Sequence, residues 1–134
     1  MPSTFNHSRF LKIPFKDGGR DFFGADCWGI VMLVYREFGI DLPDFKIACG
    51  ESLKINFAVS EQRLAWCRLT KPSAPCVVVM RMSDRYAQAC NHVGVYIGGE
   101  KFIHTLKKQG PSLVSVNHPY FEQKIEGFYE FSGN

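Results

Sequence analysis

Cys27, His92 and His104 are the residues whose types and spacing could carry chemistry. Cys27 follows Asp26 at the start of an apolar stretch, and the two histidines flank a Gly98-Gly99 pair. A thiol acts as a nucleophile when a base lies within about 3–4 Å and a further group orients that base. The three side chains therefore suit the roles of nucleophile, base and orienting group, in that order.

The segment that must position Cys27 reads as one helix. Asp26 is a good N-cap, Gly39 stands where a left-handed C-terminal cap belongs, and apolar residues recur at helical spacing between them. Cys27 then falls in the first turn, where unpaired N–H groups and the helix dipole favour a thiolate. A small buried cysteine that begins a core stripe is the alternative interpretation.

The register of the predicted hairpin decides whether the two histidines can meet. If Gly98-Gly99 alone is the loop, His104 faces Val93 and the two rings lie on opposite sides of the sheet. If the loop is Gly98-Gly99-Glu100 with a bulge, His104 lies opposite Gly94 and diagonal to His92 on one face. The second register gathers the aliphatic residues on the other face, so we expect it. We also expect Gly94 to leave room for a side chain from elsewhere.

The rest of the chain reads as helices followed by strands. Residues 14–21 form a Gly-rich loop that leads into the helix, 51–63 predict a second helix, and 118–121 predict a turn. Strands are expected at 76–81, 92–97, 101–105, 113–116 and 128–131. This order predicts an α+β domain with N-terminal helices packed on one side of a small antiparallel sheet.

Length and composition exclude several classes of protein. The 134 residues suit a single domain over 1–134, with 1–13 as an N-terminal arm. No apolar run is long enough to span a membrane and no secretory signal is present, so we expect synthesis in the cytoplasm. The net charge of +3 is spread thinly, so we expect no nucleic-acid partner.

The five cysteines are an odd number without a C-x-x-C spacing, which predicts reduced thiols rather than disulfides or a cysteine-rich zinc site. The proposed chemistry requires no metal and no organic cofactor. A zinc site built on Cys27, His92 and His104 is the weaker alternative, because it would need an added ligand or water.

The sequence around these residues resembles the NlpC/P60 family of papain-like cysteine peptidases. The resemblance lies in Asp26-Cys27-Trp28-Gly29 opening a helix, in the run from His92 to Gly98, and in Phe102-Ile103-His104, and it extends from about Pro14 to Phe131. It implies the papain-like NlpC/P60 fold, with Cys27 as nucleophile, His92 as general base and His104 as the polar third member. It also implies hydrolysis of bacterial cell-wall (peptidoglycan) stem peptides between D-glutamate and the following diamino acid.

Four further residues are predicted to contact the substrate: Phe15, Asp26, Trp28 and Asn91. Phe15 stands where the family often has a tyrosine, twelve positions before the nucleophile, so the missing hydroxyl is expected to alter substrate preference or rate.

The compact chain looks most like the phage-tail or prophage branch of the family. Phage tail proteins are therefore a predicted class of partner, and the virion tail or the bacterial cell wall a predicted place of action. Two other functions use the same residues. An acyltransferase would resolve the same thioester with an amine or alcohol, and a non-catalytic tail or assembly module would keep the fold for binding.

Overall fold

The computed structural model of the chain describes residues 6–44, 66–82 and 92–132. In chain order its elements are a 3-10 helix (His7–Lys12), β1 (Arg20–Asp21), β2 (Gly24–Ala25), α1 (Cys27–Glu37), β3 (Trp66–Leu69), β4 (Cys76–Met80), β5 (His92–Gly98), β6 (Lys101–Leu106), β7 (Gly110–Ser115), α2 (Pro119–Glu122) and β8 (Ile125–Phe131). The helix predicted over 51–63 lies outside the described residues.

Six strands form one antiparallel sheet in the order β3-β8-β4-β5-β6-β7, and β1 and β2 form a separate hairpin. All five residues of the inner strand β4 are buried, as its run of apolar and β-branched residues predicts. α1 packs against β5 and β6. The predicted α+β architecture, a helix on a small antiparallel sheet, is confirmed.

Each face of the sheet carries its own apolar cluster, because successive side chains of a strand point to opposite faces. The helix-side cluster joins α1 to the aliphatic residues Val77, Val79, Val93, Val95 and Ile103. The opposite-face cluster is built on Cys76, Val78, Met80, Tyr96 and Phe102. β5 and β6 therefore present their aliphatic residues to α1 and their histidines and aromatic residues to the other side.

The N-terminal arm is docked on the domain from residue 6 onwards. Its 3-10 helix buries Phe10 completely, and Ile13 follows it into the helix-side cluster. The same helix contacts the edge strand β7. Phe10 and Ile13 of the predicted arm thus belong to the core.

The structure differs from the predicted elements in three places. The loop predicted over 14–21 ends in β1, which pairs with β2 through Arg20 and Ala25. β3 was not predicted, since no alternation of apolar and polar residues marks it. The turn predicted over 118–121 is the start of α2, where His118 Nδ1 accepts a hydrogen bond from the Tyr120 N–H at 3.2 Å and proline occupies the first turn.

None of the helices in the described ranges is long and apolar enough to cross a bilayer.

Candidate active site

α1 begins at Cys27 and is capped as predicted. The Asp26 side chain accepts a hydrogen bond from the Gly29 N–H at 2.9 Å, and the Asp26 carbonyl accepts one from the Ile30 N–H at 3.0 Å. Gly39, just beyond the other end, has a φ of +84°. Cys27 therefore occupies the first turn, the position in which a helix favours a thiolate over a neutral thiol.

The carboxylate of Asp26 is fully buried and both of its oxygens are occupied. Besides the Gly29 N–H, Oδ1 accepts a hydrogen bond from Arg20 Nη1 at 2.6 Å, and Oδ2 accepts one from the Gly18 N–H at 2.9 Å. This burial argues against the predicted contact between Asp26 and substrate. Asp26 instead fixes the Gly18–Arg20 loop to the start of α1.

Two glycines allow that loop to lie against the helix. A Cβ on Gly29 would collide with the carbonyl oxygen of Gly19, and a Cβ on Gly19 would collide with that of Gly24. Both obstacles are backbone atoms, which cannot move aside as a flexible side chain can. The glycine of the Asp26-Cys27-Trp28-Gly29 motif is therefore required for packing at the helix start.

His92 and His104 meet on adjacent strands. His92 Nε2 lies 2.9 Å from His104 Nδ1, and the two rings cross at 77°. Val95 pairs with Ile103 and Tyr96 with Phe102, which is the register predicted from segregation of the aliphatic residues. That prediction is confirmed.

The hairpin loop differs in detail from the predicted one. Gly98 pairs with Lys101, so the turn itself is Gly99-Glu100, and the register shifts between Tyr96 and Gly98. Gly99 and Glu100 both have positive φ, 60° and 63°, as in a type I′ turn. A two-residue turn combined with a bulge gives the same register as the expected three-residue loop.

Gly94 lets β6 come close beside His104. A Cβ on Gly94 would lie 2.9 Å from the Ile103 carbonyl oxygen, 3.0 Å from Phe102 Cδ2 and 3.2 Å from His104 Cβ. The space is filled by the neighbouring strand, so the expectation that Gly94 leaves room for a side chain from elsewhere is wrong.

Burial makes His104 a neutral group. Both histidines are only 2% exposed, and the rings of Phe121 and Phe102 lie 5.0 and 5.6 Å from that of His104. Desolvation, followed by repulsion from His92, lowers the pKa of His104 to about 3. A neutral His104 can accept the Nε2–H of His92 at its Nδ1. In that tautomer the basic atom of His92 is Nδ1.

The thiol and the imidazoles belong to different faces of the sheet. Cys27 is 1% exposed and lies in the helix-side cluster, whereas strand alternation assigns His92 to the face of Gly94. His92 is, however, the first residue of β5, and α1 packs on β5 and β6. A side chain from α1 can reach the end of a strand without crossing the sheet. A contact between the Cys27 sulphur and His92 stays a prediction.

Three further residues were predicted to contact the substrate, and the structure describes two of them, Trp28 and Phe15. Trp28 is 2% exposed and packs edge-on against Trp66, with ring centroids 6.2 Å apart, so its burial argues for a packing role. Phe15 is half-buried and forms a β-bridge with Ala25, two residues before Cys27. Its contact with substrate stays a prediction, and Asn91 lies outside the described residues.

Three of the five cysteines lie in the described ranges, and all three are free thiols. Burial raises the pKa of the Cys76 thiol to about 11, which makes it a structural residue, and Cys67 is exposed. In the same ranges no three histidine, cysteine or acidic side chains are grouped as metal ligands would be.

Sequence reasoning missed the part played by Arg20, which binds Asp26 from the preceding loop. The signal in the sequence is the charged pair Arg20-Asp21 at the end of the Gly-rich loop that leads into the helix. A cation six residues before an N-cap aspartate does not by itself predict a contact, because the intervening hairpin brings the two together.

Curated proteins with similar sequences are bacterial hydrolases by name. Murein DD-endopeptidase MepS/Murein LD-carboxypeptidase of Escherichia coli K12 is 28% identical over 113 residues, which cover 84% of this chain and 52% of that protein. Gamma-DL-glutamyl hydrolase of Bacillus subtilis is 25% identical over 133 residues, which cover 98% of this chain and 29% of that protein. The chain thus spans about half the length, or less, of these relatives.

Solved structures share the fold, and the family model agrees with them. An NlpC/P60 family protein from Bacillus cereus matches 92% of this chain and 37% of its own, with a TM-score of 0.65 at 21% identity. The NlpC/p60 domain of the peptidoglycan hydrolase SagA matches 92% of both chains, with a TM-score of 0.57 at 20% identity. The phage-tail or prophage branch stays a prediction. Because the NlpC/P60 family model matches residues 12–130, nearly the whole chain, this protein belongs to the NlpC/P60 family.

Proposed function

We propose that this chain is a cysteine peptidase that hydrolyses stem peptides of bacterial peptidoglycan, with Cys27 as nucleophile, His92 as general base and His104 as the group that orients His92. The observation that supports it most is the buried 2.9 Å contact between His92 Nε2 and His104 Nδ1. Activation of a thiol requires a base whose second ring nitrogen is held by an orienting group, and His104 can hold His92 in this way.

The proposed reaction uses the groups of this chain in two steps. His92 Nδ1 takes the Cys27 proton as the sulphur attacks the amide carbonyl carbon, and it returns the proton to the leaving amine as the C–N bond breaks. The same nitrogen then deprotonates a water molecule, which cleaves the thioester and releases the acid. His104 accepts the Nε2–H of His92 throughout and so fixes its tautomer.

The first turn of α1 limits which amides can stabilise the oxyanion. The N–H groups of Gly29 and Ile30 are engaged with the cap residue Asp26. Any backbone donor that this helix start offers to a tetrahedral intermediate therefore lies before Gly29 in the chain.

The bond that we propose is the one between D-glutamate and the following diamino acid. The similarity to a gamma-DL-glutamyl hydrolase along 98% of this chain supports this choice. The name of the Escherichia coli relative points to DD and LD bonds instead, so the products have to be identified directly.

The test is mass spectrometry of purified muropeptides before and after incubation with the protein and with its Cys27→Ala variant. We expect fragments ending at D-glutamate from the parent protein and none from the variant. Turnover by Cys27→Ala near the parent level would reject the nucleophile. Products carrying an added amine or alcohol would indicate an acyltransferase, and binding without any product would indicate a non-catalytic module.

A further inference from the structure

Arg20 lies between two carboxylates at the start of α1. Its Nη1 is 2.6 Å from Asp26 Oδ1 and its Nε is 3.0 Å from Asp44 Oδ2, and Nη1 also donates to the Gly19 carbonyl at 2.9 Å. The side chain of Asp26 is completely buried, whereas that of Asp44 is 37% exposed. Arg20 thus balances the buried charge of Asp26 and is itself held by the more exposed carboxylate of Asp44.

The buried carboxylate is next to Cys27 in the chain. An anion on the residue before the thiol opposes formation of the thiolate, and it also counteracts the positive end of the helix dipole. The Gly18 and Gly29 amides share the charge of Asp26, but only as dipoles. A full positive charge on Arg20 is what balances it.

We infer that Arg20 is a positioning residue for Cys27, which acts through Asp26 by fixing the first turn of α1 and by balancing the charge of its cap. The inference rests on the proposed role of Cys27 as nucleophile. Asp44, which follows α1, holds Arg20 in place and so ties the chain beyond the helix to its start.

Several charged or titratable groups belong to the elements packed around Cys27. The groups concerned are Asp26 and Arg20 at the helix start, Asp44 beyond Arg20, and His92 and His104 on β5 and β6. The histidines are common to every variant compared below, so their influence cancels.

The test is an NMR titration of the full chain with isotope-labelled cysteine side chains, in which the Cys27 signal is identified by its loss in Cys27→Ser. We expect Arg20→Gln to raise the titration midpoint of Cys27 by about one pH unit, because the charge of Asp26 is then uncompensated. Arg20→Lys keeps the charge and should restore most of the difference.

Arg9→Gln is the matched control. Arg9 pairs with Glu37 at 3.1 Å at the other end of the same helix, so its removal changes the net charge equally. We expect its Cys27 midpoint to equal that of the parent. Equal midpoints in Arg20→Gln, Arg9→Gln and the parent would overturn the inference.

A second variant covers the case in which Arg20→Gln does not fold. The double variant Arg20→Gln/Asp26→Asn removes both charges and keeps polar groups of similar size in the network. Its midpoint should return to or below the parent value, and a midpoint raised as far as one unit would contradict the charge argument. Failure of the proposed function would look different. Cys27→Ala would then still cleave muropeptides, while Arg20→Gln would still raise the titration midpoint of Cys27.

Discussion

His104 Nδ1 lies 2.9 Å from Nε2 of His92 on the neighbouring strand, with both rings buried. The contact depends on the strand register, because the bulge between Tyr96 and Gly98 brings both histidines to one face of the hairpin. The environment keeps His104 neutral, so its Nδ1 can accept a hydrogen bond from the Nε2–H of His92. The proposed chemistry uses the tautomer of His92 that carries its proton on Nε2.

Replacing His104 should impair catalysis without abolishing it. We expect His104→Phe to lower kcat/KM on muropeptides by about a hundredfold or more, because the tautomer and orientation of His92 are no longer fixed. His104→Asn, which keeps an acceptor, should lose less. His7→Gln, at a half-buried histidine in the 3-10 helix, is the control and should behave as the parent. Equal activities in all four proteins would remove His104 from the site.

Stability should fall as the solution is acidified. The pKa of His104 is about 3 in the folded protein, below the ordinary value of 6.5, because burial and His92 disfavour the charged ring. Between these two values the unfolded chain binds a proton that the folded chain does not, so the free energy of unfolding decreases by up to about 1.4 kcal/mol per pH unit.

Urea denaturation at a series of pH values measures this dependence. The free energy of unfolding of His104→Gln should depend less steeply on pH than that of the parent between about pH 6.5 and about 3. The reason is that position 104 then has no ring to take up a proton on unfolding. Identical slopes in the two proteins would show that His104 does not carry the effect.

Cys27 should react with iodoacetamide faster than its low exposure suggests. Cys27 is buried and Cys67 is exposed, so accessibility alone predicts that Cys67 reacts first with iodoacetamide. At a pH of about 6, well below the ordinary thiol pKa of about 8.5, we expect the reverse, because only an activated thiolate reacts there. Peptide mass spectrometry follows both sites. Modification of Cys67 with none at Cys27 would leave Cys27 as a core cysteine.

An added methyl group at Gly94 should destabilise the hairpin and displace His104. Its Cβ would press on a backbone carbonyl at 2.9 Å, so we expect Gly94→Ala to cost about 1–3 kcal/mol of unfolding free energy and to reduce activity. Gly127→Ala is the matched control in β8, because the atoms nearest to its Cβ would be those of the Arg68 guanidinium, which can move. Thermal unfolding of both variants tests the difference, and equal losses would refute the close approach.

Local patterns in the sequence were enough to predict the parts of the site that lie within one helix or one hairpin. Asp26 and Gly39 flank the two ends of α1. Both ends were predicted, because capping depends on residues next to the helix. The pairing of β5 with β6 was predicted because only one register separates aliphatic residues from histidines. Family membership follows from the same motifs.

The tertiary structure alone decided what each of these side chains touches. It turned the carboxylate of Asp26 towards Arg20, buried Trp28 against Trp66, and filled the space over Gly94 with β6. It also revealed β3 and the short helix after His118, whose sequences carry no clear periodicity. Periodicity and capping act over a few residues and can be read from the chain, whereas burial and pairing depend on segments that meet only when the whole domain packs.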